Sequence, residues 1–421
     1  MNILQNLFDS VLQEHLDARA LIREILLKKF GDLGIKIKES QINQIISHVE
    51  SSDEDGISID LEDEQLLGSK IASVTELTNN ITLEFNNEYI KEALEGIILS
   101  LSEELPSIID KTADVVLNKI YIHSVVEEHI QNRKGFEQRL WNYWKEPFEL
   151  FEQFILIVLD AGVSFNEQYH QNATNENDLV FEVLTRLHAR ACQVASEVLV
   201  LLESGFADGA HARWRTLHEI TVSAMFVAKH GDKVAEKYLE HEIVELYKAA
   251  NQYQEHCVAL GQEPLTEEEL NKIQFAYNNV LSRYGNEFKE GYGWAANTLS
   301  MKKPNFTDIE MNVGLEKWRP YYKMASYNVH GNAKGIAFQL GALPTERRIL
   351  LAGATNYGFT DPAHGTVISL LQITTTFLMT KPNFDSLTIC SLLTKLQKKI
   401  GEEFLKTQRK LKQQHVMLGK I

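Results

Sequence analysis

Asp208-Gly-Ala-His211-Ala-Arg213-Trp214-Arg215-Thr-Leu-His218-Glu219 sets two histidines, two arginines and a glutamate between two apolar runs, Val194 to Leu202 and Ile220 to Ala228. Ser204-Gly205 ends the helix before it, glycine being the usual residue where a helix turns left-handed and stops. Asp208 is then expected to cap the next helix by accepting its free N–H groups. No proline or glycine interrupts that helix from Ala210 to about Lys229. Residues three and four apart share a helical face, so His211, Arg215, His218 and Glu219 form one polar stripe, from which Arg213 points away. The helix continues as Ile220-Thr-Val-Ser-Ala-Met-Phe-Val-Ala, apolar almost all round, as a buried helix is. A charged stripe on a buried helix must be paired or face a cavity. Two readings stand at this point: a functional pocket, or a structural lattice of ion pairs.

The run before this stretch, Leu179 to Leu202, is amphipathic, with Arg186, His188 and Arg190 on its polar side. The two helices should form a hairpin. Before that pair, Phe148 to Val163 predicts an apolar helix and Asn166 to Asp178 a polar linker. Residues 3 to 30, 41 to 49 and the stretch from Glu88 to Leu117 carry apolar residues at helical spacing. Between them, Glu50 to Glu64 holds no basic residue. Laid on a calcium loop, Ser51, Asp53, Asp55, Gly56 and Glu62 fall at ligand or glycine positions, but the first ligand and the apolar eighth position do not fit. Ile57, Ile59 and Leu61 alternate, as do Ile81, Leu83 and Phe85, which predicts a small two-stranded β element. After the central hairpin, helices are expected over Lys233 to Val258, Glu267 to Tyr284, Pro320 to His330 and from Asp361-Pro362 onward. The last runs from Ser386 to about Gln414. The fold class expected is therefore mainly α: a multi-helix bundle with a small β element in the N-terminal region. An N-terminal helical domain over 1–140 and a C-terminal helical domain over 141–421 are expected.

The chain has 421 residues and a formal net charge of −16, so attraction to nucleic acid through overall charge is not expected. Local basic patches remain, and residues 381 to 421 carry 9 Lys and Arg against 3 Asp and Glu. The three cysteines lie far apart without metal-type spacing, as expected of a reducing cytoplasm. No stretch reads as a signal peptide or membrane span. No P-loop, dinucleotide fingerprint or Gly-x-Ser-x-Gly occurs, and no cofactor or metal is expected.

His330, in the last turn of its helix, sits where the dipole favours a protonated ring. His364, in the first turn after Asp361-Pro362, sits where it favours a neutral one. Brought together, they would supply a general acid and a general base. Arg215 would hold an anionic group between them, and Glu219 would orient Arg215 or His218. Ser326 can bond to His330 along one helical face. This chemistry suits metal-free cleavage of a phosphodiester by the ribose 2′-OH. The same residues could instead be a buried ion-pair lattice in a non-enzymatic sensor or protein-binding module.

From about 180 to 380 the chain resembles an uncharacterised bacterial helical domain. The motifs carrying the likeness are Arg215-x-x-x-Glu219 after a helical hairpin and Ser326-Tyr327-x-x-His330-Gly331 later. Such proteins look like relatives of abortive-infection and toxin-type effectors, some of them similar to the HEPN ribonucleases. That likeness implies an all-helical dimer cutting RNA without metal through an Arg-x(4–6)-His motif. Arg213 and His218 meet that spacing, although Trp214 stands where a polar residue usually follows the arginine. The implied function is a defence or toxin-like effector. Catalytic residues would be His330, His364 and His218. Arg215, Glu219, Ser326, Tyr327, Arg213 and His211 would bind substrate. RNA, a second copy or a protein partner are the candidate partners.

Overall fold

The computed structural model describes residues 18–51, 57–59, 61, 65, 87–120, 123–331, 333–342 and 351–418. The chain divides into two compact units, Met1–Gln131 and Asn132–Ile421. Among the described residues the regular structure is helical and no strand is present.

In the first unit, α1 (Ala18–Asp32) and α2 (Glu39–Ser51) bury Leu26, Phe30, Ile42, Ile45 and Ile46 against each other, and α3 (Asn87–Ile120) packs on α1. Ile57, Ile59 and Leu61 lie on this core without regular structure. Their alternation reflects a segment lying on helices, and among the described residues it pairs with no strand. Ile81, Leu83 and Phe85 lie outside the described residues, as does most of the acidic segment read against a calcium loop.

α4 (His123–Glu176) joins the second unit from Asn132 onward. It kinks at Trp144 (φ −102°, ψ 16°), just ahead of Pro147, whose ring and missing N–H break the helical ladder there. The expected polar linker after Val163 is helical through Glu176, so only Asn177 and Asp178 remain as the turn into α5 (Leu179–Glu203). Asp178 caps α5 by accepting from the Phe181 amide at 2.9 Å. α6 (Ala207–His230) follows as the expected hairpin partner. Gly205 makes the turn at φ 85°, where a Cβ would lie 2.7 Å from the Thr355 carbonyl and 2.9 Å from the Phe136 ring.

Beyond the hairpin come α7 (Asp232–Glu240), α8 (Glu242–His256) and α9 (Glu267–Tyr284). The single helix expected over 233 to 258 is thus two, parted at His241. α9 starts on a capping box made by Thr266 and Glu269. Short helices follow: α10 (Gly293–Leu299), α11 (Phe306–Asn312), α12 (Arg319–Tyr327) and α13 (Ala333–Ala337). Long helices α14 (Thr360–Leu378) and α15 (Phe384–Leu418) close the unit.

α6 runs between two cores, which explains why its sequence is apolar almost all round. One face gives Leu217 and Ala224 to a core built with α4, α5, α14 and α15, centred on Trp144, Phe148, Phe377 and Phe404. The other gives Val222, Phe226 and Val227 to a core with Trp294, Phe306, Ile309 and Tyr322. His188 of α5 lies in the first core, not on a polar face. It is 3 % exposed and bonded to Thr374 Oγ1 at 3.1 Å, and a Cβ at Gly162 would lie 2.4 Å from its ring. Among the described residues no helix is long and apolar enough to cross a membrane.

Candidate functional site

The polar stripe on α6 meets α11 and α12, and it divides by depth. At the bottom, His218 Nε2 donates to Glu310 Oε1 at 2.8 Å, both side chains being buried. Arg319 Nη2 closes on Glu310 Oε2 at 2.8 Å as an ion pair not aligned as a hydrogen bond. His218 Nδ1 is buried without a partner. A ring carrying its hydrogen on Nε2 leaves only a bare acceptor there, a lighter penalty than a buried orphan N–H.

Nearer the surface, Arg215 Nε donates to Glu219 Oε1 at 3.0 Å, and the Tyr322 hydroxyl donates to the same oxygen. The Arg215 guanidinium lies 4.7 Å from the centre of the Tyr322 ring, a cation–π contact. That ring stacks on Phe306 at 5.0 Å and also receives Arg319 at 5.2 Å. Burial, with Glu219 close by, raises the Tyr322 phenol above its ordinary range, so it stays a donor. Tyr292 is pushed up to about 12 by burial and by Glu219. Arg215 Nη1 then lies 3.4 Å from His330 Nε2. His330 is exposed and borders a cleft of about 480 Å³ together with Asp208, Tyr327, Asn328 and Gln339.

Several expectations change here. α6 begins at Ala207 with Phe206 at its cap position and no side-chain cap bond. Asp208 is therefore inside the first turn, and its carboxylate accepts from the Leu340 amide (2.8 Å), the Gly341 amide (3.3 Å) and Asn328 Nδ2 (3.2 Å). It anchors a later loop instead of capping its own helix. His211 is 1 % exposed, stacked on Trp214 at 5.3 Å, and held down to about 4 by burial. Arg213 is bonded to Glu197 of α5 and His218 to Glu310, so the pair with Arg-x(4)-His spacing is engaged with different partners. Ser326 Oγ donates to the Tyr322 carbonyl at 2.8 Å within its own helix. Tyr327 packs edge-on to Phe338 and under Lys334. α12 ends at Tyr327, which puts His330 in the turn beyond it.

His364 does not share the bond between Arg215 and His330. α14 starts at Thr360, so Asp361 is its second residue and His364 is a turn further in, away from the free amides. Its ring turns to α15, where Nε2 lies 3.1 Å from Gln397 Nε2 and the ring edge lies against Gly401. Burial lowers its pKa, offset in part by Asp361. Among the described residues no group of three or more His, Cys, Asp or Glu is placed to hold a metal ion.

Glu310, Arg319 and Tyr322 went unread in the sequence. Glu310 lies on the seven-residue helix Phe306–Asn312, too short to show a periodic face, and Arg319 is masked by the Pro320 beside it. Tyr322 carried a usable signal, since it precedes Ser326 and His330 at intervals of four.

Residues 181–344 match a family model described as a family of unknown function (DUF5677). The match covers less than half of the chain, yet it takes in Arg215, His218, Glu219, Glu310, Arg319, Tyr322 and His330; His364 lies outside it. No curated protein and no solved structure is significantly similar to the chain.

Proposed function

We propose that this chain is a defence or toxin-type effector that cleaves RNA without a metal, with Arg215 and His330 as its working pair. The observation that carries the reading is an exposed imidazole held 3.4 Å from a guanidinium whose other edge is fixed by a carboxylate. In this reading Arg215 binds the non-bridging oxygens of a phosphodiester. His330 takes the proton of the ribose 2′-OH as that oxygen attacks phosphorus. The new P–O2′ bond forms and the P–O5′ bond breaks, leaving a cyclic phosphate; the departing 5′-oxygen takes its proton from solvent at the open cleft. Glu219 and Tyr322 act as positioning residues, locking the guanidinium so that little ordering is left to the substrate. The likeness to HEPN ribonucleases adds a homodimer, in which a second copy would bring its own His330, and a cytoplasmic setting.

One observation favours a non-enzymatic alternative, a helical sensor or protein-binding module. His211 and His218 are buried and His364 is bonded to Gln397, so of the candidate site histidines only His330 is open, where two-histidine catalysis needs two. Incubating the purified chain with total RNA in EDTA separates the readings. Cleavage that His330→Ala abolishes, with folding intact by circular dichroism, supports the enzyme. Intact RNA at every concentration of the wild-type chain supports the module.

A further inference from the structure

We propose that the exposed basic faces of α4 and α15, at the end of the second unit beside the His330 cleft, form a docking track for single-stranded RNA. The proposal deepens the ribonuclease reading, on which it rests only for what happens to the strand once bound. Over residues 132 to 145 α4 carries Arg133, Lys134, Arg139 and Lys145 against Glu137. Over 405 to 414 α15 carries Lys406, Arg409, Lys410 and Lys412 and no acid. All eight cations are exposed.

The two segments lie side by side. Tyr143 donates to Gln414 at 3.0 Å, and Trp144 and Phe404 meet at 5.7 Å between ring centres. Arg133, Lys145 and Lys406 each have a carboxylate within 4 Å, but among the described residues Lys134, Arg139, Arg409, Lys410 and Lys412 have none. Such a concentration runs against a chain whose net charge is −16, so it does not follow from average composition. It creates a local positive potential that a polyanion would feel.

The track reaches the cleft through direct contacts. Phe136 of α4 lies against Gly205, and Gln408 of α15 accepts from Thr360 at 2.7 Å. Gly205 lines a groove with Asp208, Asn328 and Leu351, the last three of which also border the His330 cleft. Partly exposed Trp141 and Tyr143 stand among the cations, the mixture that single strands use for backbone attraction and base stacking. A membrane-binding helix would need a broad apolar face. In these two segments Leu405 is the one exposed large apolar residue among the described ones.

The test is fluorescence anisotropy of a labelled oligouridylate with the full chain, across salt. The track predicts that Arg409→Glu/Lys410→Glu/Lys412→Glu weakens binding on the order of a hundredfold at about 50 mM salt and flattens the salt slope by about 2. Arg133→Glu/Arg139→Glu, on the other helix, should weaken it too. Lys272→Glu on α9 should bind as wild type does. RNA held through the track yet uncut in EDTA would sustain the proposal and sink the ribonuclease reading. Wild-type affinity in both α4 and α15 variants would overturn the proposal. So would no binding of the oligouridylate by the wild-type chain, or binding only to phosphatidylserine vesicles.

Discussion

His218 lies beside Glu310 and Arg319; His330 lies beside Arg215, itself tied to Glu219. The residue types are the same, and Tyr322 touches both arginines. The difference is depth. Taken out of water, His218 and Glu310 must be paired to exist at all, and Arg319, no more exposed than Arg215, closes on them as the counter-charge. Open to water, the outer set keeps an exposed imidazole and can exchange it for a ligand. One helix thus carries a buried support and, on the proposed function, a site open to a molecule from outside.

The largest effect that would sharpen this contrast is on the inner set. Glu310→Ala strips the buried partner from His218 and Arg319 and should cost about 3–5 kcal/mol of stability. Urea unfolding measures it, and a loss near that of a surface substitution would break the contrast. Next comes pH. Burial lowers His188 and His211 from 6.5 to about 4 in the folded chain. The unfolded chain therefore takes up protons first as pH falls, and the stabilising effect, complete above 6.5, is lost between 6.5 and about 4. Each ring should account for about 3 kcal/mol across that window. His188→Gln, which can keep a bond to Thr374, should flatten the slope of unfolding free energy against pH; an unchanged slope would count against the buried neutral ring. The smallest effect belongs to the outer set. His330→Ala should change stability by no more than about 0.5 kcal/mol, as at other exposed positions. Thermal denaturation beside the wild type checks it.

Much of the arrangement was legible in the sequence. Apolar periodicity and Gly205 announce the hairpin, and i, i+4 spacing puts Arg215 next to Glu219. No spacing places His330 beside that pair; of the expected cluster of Arg215, His330 and His364, the first two meet and His364 does not join them. What was not legible depends on contacts between distant segments. Whether His218 meets water or Glu310 is decided by a short helix some ninety residues later. Helix starts misled twice. Asp208 and Asp361 each look like caps, but the helices begin one residue earlier, at Ala207 and Thr360, so the Asp208 carboxylate and His364 take other partners. Ile57, Ile59 and Leu61 show that alternation marks a segment with one buried side, with or without strand pairing.

The contrast between support and site is most directly tested by diethyl pyrocarbonate modification of the native chain, followed residue by residue by peptide mass spectrometry. The account predicts that His330 is carbethoxylated in the folded chain, as exposed His170 and His256 are, while His188, His211 and His218 react only once the chain unfolds. Modification of His218 as fast as His330 in the folded protein would contradict it.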